Sequence, residues 1–99
     1  MLRIMLSAHA GSIRFAVQGS LTRSSADELR RCWLDVRGST RREHSMTVDL
    51  TDLTNIDVFG KNVLREMCRR GVILTGSGVM TRAVIEEIAN KAGEREAEA

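Results

Sequence analysis

Residues able to do chemistry in this 99-residue chain are few and scattered. Cys32 and Cys68 stand far apart, each inside a helical pattern beside apolar residues, and read as reduced thiols. With His9 and His44 they offer no C-x-x-C or H-x(3–5)-H spacing, which argues against a metal site. The sequence contains no recognisable Ser-His-Asp or Cys-His arrangement, Walker loop, GxGxxG fingerprint or carboxylate pair. It therefore reads as a chain that is not an enzyme and carries no cofactor. What remains is the polar junction Thr54-Asn55-Ile56-Asp57-Val58-Phe59-Gly60. Asp57 stands one residue before a helical pattern and belongs to the residue types that cap helices best. Thr54 and Asn55 read as turn residues bonding nearby backbone; Thr54 lies before the cap, and no basic motif marks it for phosphorylation. Phe59 puts a large apolar surface near a helix start, where it either anchors a partner or tucks into a sheet. Farther along the same helix Arg65, Arg69 and Arg70 are solvated charge or a rim that steers an acidic partner. Ser77-Gly78 heads another helix, whose free backbone N–H groups suit an anion better than the Asp57 junction does, since Asp57 repels one.

These residues need elements to hold them. Leu2, Ile4 and Leu6 alternate with Arg3, Met5 and Ser7, Ile13, Phe15 and Val17 alternate with Arg14, Ala16 and Gln18, and His9-Ala10-Gly11-Ser12 joins the two runs as a hairpin turn. Gly19 is expected to end the second strand. Ser25-Ala26-Asp27-Glu28 fits a capping box opening a helix with Ala26, Leu29, Trp33 and Val36 on one face and Gly38 as terminator. Residues 39–45 are polar throughout and read as a surface loop. Met46, Val48 and Leu50 then alternate as a third strand. Gly60, Val63, Leu64 and Met67 form the stripe of a second helix that Gly71 closes. Val72-Ile73-Leu74-Thr75 is continuous and β-branched, as a central strand buried on both faces would be. A third helix follows Ser77-Gly78 with Val84, Ile85 and Ile88 inward. The domain is expected over residues 1–92, with residues 93–99 as a flexible tail.

The order β-β-α-β-α-β-α predicts a single α/β domain: a mixed four-stranded sheet with three helices packed on it, the strand-to-helix junctions along one edge. Hydrophobic residues at 42%, aromatics at 3% and no proline fit one core built mainly from aliphatic side chains. A net charge of +2 with acidic residues interspersed among the arginines argues against a nucleic-acid face. The N-terminal apolar stretch is too short for a signal peptide, and no stretch suits a membrane span, so a soluble cytoplasmic protein is expected.

Element order and length up to about Asn90, the strand Val48-Asp49-Leu50, the turn Leu53-Thr54-Asn55-Ile56-Asp57-Val58-Phe59-Gly60, and the flanking Gly19-Ser20-Leu21 and Val72-Ile73-Leu74-Thr75-Gly76 together resemble a STAS domain. The resemblance implies an anti-sigma factor antagonist: a bacterial module that binds a kinase-like anti-sigma factor and is released when a serine at this turn is phosphorylated. Asp57 and Gly60 match that family's turn. Val58 and Phe59 occupy its two serine positions, and a benzyl side chain has no hydroxyl to phosphorylate. The reading is thus a partner-binding module of signalling and transcription regulation. Thr54, Asn55, Asp57, Val58, Phe59, Gly60, Lys61 and Arg65 form its contact surface, and the usual serine switch is missing. Two alternatives stand beside it: a small-ligand or anion-binding domain using Ser77 and Gly78, and a scaffold subunit that self-associates weakly or assembles with other STAS proteins.

Overall fold

Alternation along the first twenty residues becomes a long antiparallel hairpin, β1 (Leu2–His9) and β2 (Ser12–Leu21), with Leu2 opposite Gly19 and His9 opposite Ser12. Ala10 and Gly11 at its tip have φ of 48° and 81°, the left-handed pair that a two-residue turn matched to strand twist requires. The computed structural model describes residues 1–39 and 44–98, and side chains through residue 90. Beyond the hairpin come α1 (Arg23–Ser39), β3 (Ser45–Asp49), β4 (Leu53–Ile56), α2 (Val58–Arg69), β5 (Ile73–Thr75) and α3 (Val79–Glu98).

The sheet has five strands, one more than the sequence suggests. The path is β1-β2-β3-β5, and β4 also pairs with β2. β3 and β4 run parallel to β2 on the edge opposite β1, β3 along Ser12–Ala16 and β4 along Gly19–Leu21. β4 therefore extends the lane of β3 instead of widening the sheet. Its register shifts between Gly19 and Ser20, so that Leu53 faces Gly19 while Asn55 faces Ser20. Gly19 does not end β2 as expected; it lies within the strand, at this irregularity.

Ile13, Phe15, Val17, Leu21, Val48 and Leu50 meet Ala26, Leu29 and Trp33 of α1, Val63, Leu64 and Met67 of α2, and Ile88 of α3 in one buried cluster. The apolar stripes expected of α1 and α2 are thus the faces that bury. On the other face of the sheet Arg3, Met5, Arg14, Thr47, Asp49, Ile73 and Thr75 are not buried, and Arg14 pairs there with Asp49. α2 lies between the other helices, tied to α1 by Arg30–Glu66 at 3.0 Å and to α3 by Lys61–Glu87 at 3.3 Å.

Both ends of α1 and the place of β5 differ from expectation. α1 starts two residues early: the Thr22 carbonyl accepts from the Ala26 amide, and the Ser25 hydroxyl accepts from the Thr22 amide at 2.8 Å. Ser25 therefore serves inside the first turn, reaching back to the cap in place of Glu28. Gly38 sits within α1. Val72 is buried but Ile73 is 55% exposed, and β5 pairs with β3 alone, so this segment is an edge strand and not a central one. α3 continues through Gly93 to Glu98. Of the expected 39–45 loop, residues 40–43 lie outside the described residues, as does Ala99.

Candidate functional site

The junction between β4 and α2 rests on Asp57. Its extended backbone, φ −110° and ψ −173°, precedes the helix, and Oδ1 accepts the Gly60 amide at 3.0 Å. That is the N-cap geometry expected from sequence. Its other oxygen, Oδ2, accepts the Arg23 amide at 3.1 Å, in the first turn of α1. One carboxylate thus heads two helices, satisfying donors that would otherwise lack intrahelical partners and placing negative charge at two positive helix ends. The Asp57 amide donates to the Leu21 carbonyl at 3.3 Å, which ties the cap to the last residue of β2.

Gly60 is buried because α2 starts against the end of β2. A Cβ there would overlap the Leu21 carbonyl oxygen and come within 2.9 Å of Ile56 Cγ1. Its place in the motif is explained by this close approach, with no ligand involved.

Val58 and Phe59 point outward, 61% and 46% exposed. Phe59 is thus not part of the core. Its ring lies under the Arg23 guanidinium, 5.5 Å from carbon to centroid, which fixes it on the α1 side of the junction. Thr54 and Asn55 are exposed on β4. They also line a cavity of about 120 Å³ shared with Leu53, Ile56, Met80 and Val84. Met80 at its rim is 65% exposed and Val79 beside it 89%. Apolar surface therefore flanks the junction from Phe59 by α1 to Met80 on α3.

Lys61 and Arg65 are placed differently. Lys61 pairs with Glu87 of α3, and Arg65 Nη1 donates to Asn62 Oδ1 at 3.1 Å within α2. Both are only partly exposed, along the flank where α2 meets α3. Ser77 and Gly78 are exposed ahead of α3; Gly78 has φ of 100°, and its carbonyl accepts the Arg82 amide at 3.0 Å. They form a helix start separate from the Asp57 junction.

Sequence reasoning missed three contributors: Arg23, Val79 and Met80. Arg23 lies 34 residues from the carboxylate that accepts its amide, a pairing no local pattern displays. Val79 and Met80 carried a signal, two bulky apolar residues in a first turn ahead of the inward stripe of α3.

The arrangement holds a rigid, acid-capped junction with apolar side chains displayed around it. No hydroxyl stands at the first two positions of α2. No helix among the described residues is long and apolar enough to cross a membrane.

Known folds place this architecture. An anti-sigma factor antagonist from Mycobacterium paratuberculosis superposes with a TM-score of 0.75 at 18% identity, over 87% of this chain and 76% of that one. The anti-sigma factor antagonist SpoIIAA in its unphosphorylated form gives 0.62 at 15% identity, over 85% and 82% of the two chains. Mglu gives 0.61 at 18% identity over 76% of this chain, which spans 19% of that longer protein. At these identities the likeness shows the fold: a single α/β domain of the anti-sigma factor antagonist, or STAS, type. No protein-family model matches the sequence, and no curated protein matches it.

Proposed function

We propose that this chain is a protein-binding STAS module, comparable to an anti-sigma factor antagonist, that docks a partner through the β4–α2 junction and is not switched by phosphorylation there. The observation that carries this reading is the exposure of Val58 and Phe59 at the head of α2 in a chain with only three aromatic residues. Trp33 and Phe15 are buried, so the third ring is left at the surface in the turn the fold family uses for contact. Aromatic side chains at the centre of an interface commonly dominate its energetics, and Phe59 would do so here. Thr54, Asn55 and Met80 complete the apolar and polar surroundings, while Asp57 and Gly60 hold the backbone.

The partner expected is a kinase-like anti-sigma factor or a relative of one, in a bacterial cytoplasm. Phosphate at such a turn would add roughly −1.5 to −2 charge beside the helix start and eject an acidic partner. Phe59 cannot carry it, so binding would be constitutive or controlled from the partner's side.

Purified chain titrated against the anti-sigma factors of its host by calorimetry tests this. Binding by the native chain and its loss by at least about tenfold in Phe59→Asp, with an unchanged melting temperature, is the expected result. Equal affinity of both forms, or stoichiometric phosphate at residues 54–60 in intact mass after incubation with the kinase and ATP, would overturn it.

A further inference from the structure

The strand path of the sheet ends in β1 on one side and β5 on the other, and the two edges are unlike. β5 has three residues, Ile73–Thr75. β1 has eight, Leu2–His9, and among the described residues it pairs with β2 alone. Proteins guard an exposed edge by keeping it short, bending it with a bulge, or placing proline, lysine or an inward-pointing charge on it. β1 carries none of these devices. Its register runs unbroken from Leu2 opposite Gly19 to His9 opposite Ser12. Its single side chain of fixed charge, Arg3, stands near one end, on the sheet face away from the helices.

Which backbone groups β1 presents follows from its pairing. One step beyond Leu2 and Gly19 in the ladder, the Ser20 amide donates to the Met1 carbonyl at 3.1 Å. Hydrogen-bonded pairs alternate along an antiparallel ladder, so Arg3, Met5, Ser7 and His9 bond inward to β2. Leu2, Ile4, Leu6 and Ala8 therefore turn their N–H and C=O groups outward. The same four side chains lie on the helix face, opposite Gly19, Val17, Phe15 and Ile13. Leu6 is 51% exposed although Phe15 beside it is fully buried, and Met5 on the other face is 43% exposed. The apolar layer under the helices thus runs out to an edge that no described residue pairs.

We propose that β1 pairs antiparallel with β1 of a second copy about a two-fold axis at Met5, joining two five-stranded sheets into one with the helices of both copies on the same face. In this register Ile4 faces Leu6 of the second copy and Leu2 faces Ala8. All four outward-turned residues bond, and their side chains carry the apolar layer across the seam. Met5 meets its own counterpart, and Arg3 faces Ser7. The two Arg3 residues then stand about 14 Å apart, four residues along a strand of about 3.4 Å rise, beyond the Debye length of about 8 Å at physiological ionic strength. Centring the pairing on Ile4 leaves Ala8 unpaired, centring it on Leu6 leaves Leu2 unpaired, and centring it on Arg3 opposes like charges directly. This self-complementarity selects a second copy as the occupant. A single strand edge covers well below the roughly 800 Å² per partner of a stable interface, so the dimer is weak, with a dissociation constant of about 100 µM. The seam uses neither the Asp57 junction nor α2, so it stands or falls apart from the docking surface.

Sedimentation velocity from about 1 µM to about 1 mM tests the proposal, the average mass rising from that of one chain toward that of two. Leu6→Pro removes an outward amide while sparing the β2 ladder, and Leu6→Lys puts a charge into the seam; each should weaken association by at least about tenfold. Should proline disturb β1, as far-ultraviolet circular dichroism would show, Leu6→Lys decides. Ile73→Lys, on the opposite edge, should change nothing. Met5→Cys reads the register. Directly opposed residues of a non-hydrogen-bonded pair have Cα atoms about 4.5 Å apart, within disulfide reach, so mild oxidation should link two chains at this position. Arg3→Cys, about 14 Å from its counterpart, should not link to itself. A monomer throughout the range, full association in Leu6→Lys, weakening by Ile73→Lys, or linking of Arg3→Cys as readily as Met5→Cys overturns the proposal.

Discussion

Both oxygens of the Asp57 carboxylate are committed to backbone amides in different helices, so its substitution should cost more than an ordinary cap. Asp57→Ala removes two acceptors and is expected to destabilise by about 2 kcal/mol, twice the typical single-cap value. Asp57→Asn keeps one acceptor oxygen and should cost about half as much. Urea denaturation measures both, and equal losses in the two variants would contradict the reading of one carboxylate capping two helices. The capping role was legible from sequence, because an acidic residue directly before an apolar stripe of helical spacing has few other uses. Its second bond was not, since Arg23 is brought to it only by the packing of α1 beside α2. Phe59 shows the same limit. Its type and position were readable, but which way the ring faces is set by how α2 starts against the end of β2, where Gly60 lies too close to Leu21 and Ile56 for any side chain.

Among the elements, β4 is the one sequence reading lost, and its register explains why. A strand with one face buried announces itself by alternation of period two. Leu53 and Ile56 are the partly buried pair, with Thr54 and Asn55 both exposed between them, because the shift opposite Gly19 and Ser20 puts an extra residue into β4. An irregularity of this kind inverts the alternation midway, so a short strand containing one resembles a loop. The end of β3 supplies what positions β4. Asp49 Oδ1 accepts from the Thr51 amide at 3.0 Å and from its hydroxyl at 2.6 Å, starting the turn that sends the chain on in the same lane. These bonds, with the Arg14 guanidinium adding to them, hold the Asp49 carboxyl below the usual carboxylate range. A carboxylate favoured in the folded state stabilises it fully above the unfolded pKa of about 4, and loses that contribution as pH falls through the lower folded value. Asp49→Asn should therefore be less stable at neutral pH by about 1–2 kcal/mol and approach the native chain in strong acid. Denaturation midpoints across an acid pH series read the difference, and a gap that stays constant to the lowest pH would contradict it.

At the scale of the molecule, strands, helices and junction share one buried cluster running from Ile13 to Ile88. Sequence periodicity recovered nearly all of it, because each apolar stripe had to find the same interior in a chain this short. It could not recover strand order: Val72–Thr75 looked central by composition, yet β3 had a single free edge left, and β5 closes the sheet there. A single cluster spanning all layers also implies a single transition. Trp33 sits in α1 against that cluster, so its emission and the far-ultraviolet circular dichroism of the whole chain should change with the same midpoint and slope in urea. An earlier change in Trp33 emission would show that α1 opens separately from the sheet. Coincidence would mean that the Asp57 junction and the helix that carries Trp33 belong to one cooperative unit and share its stability.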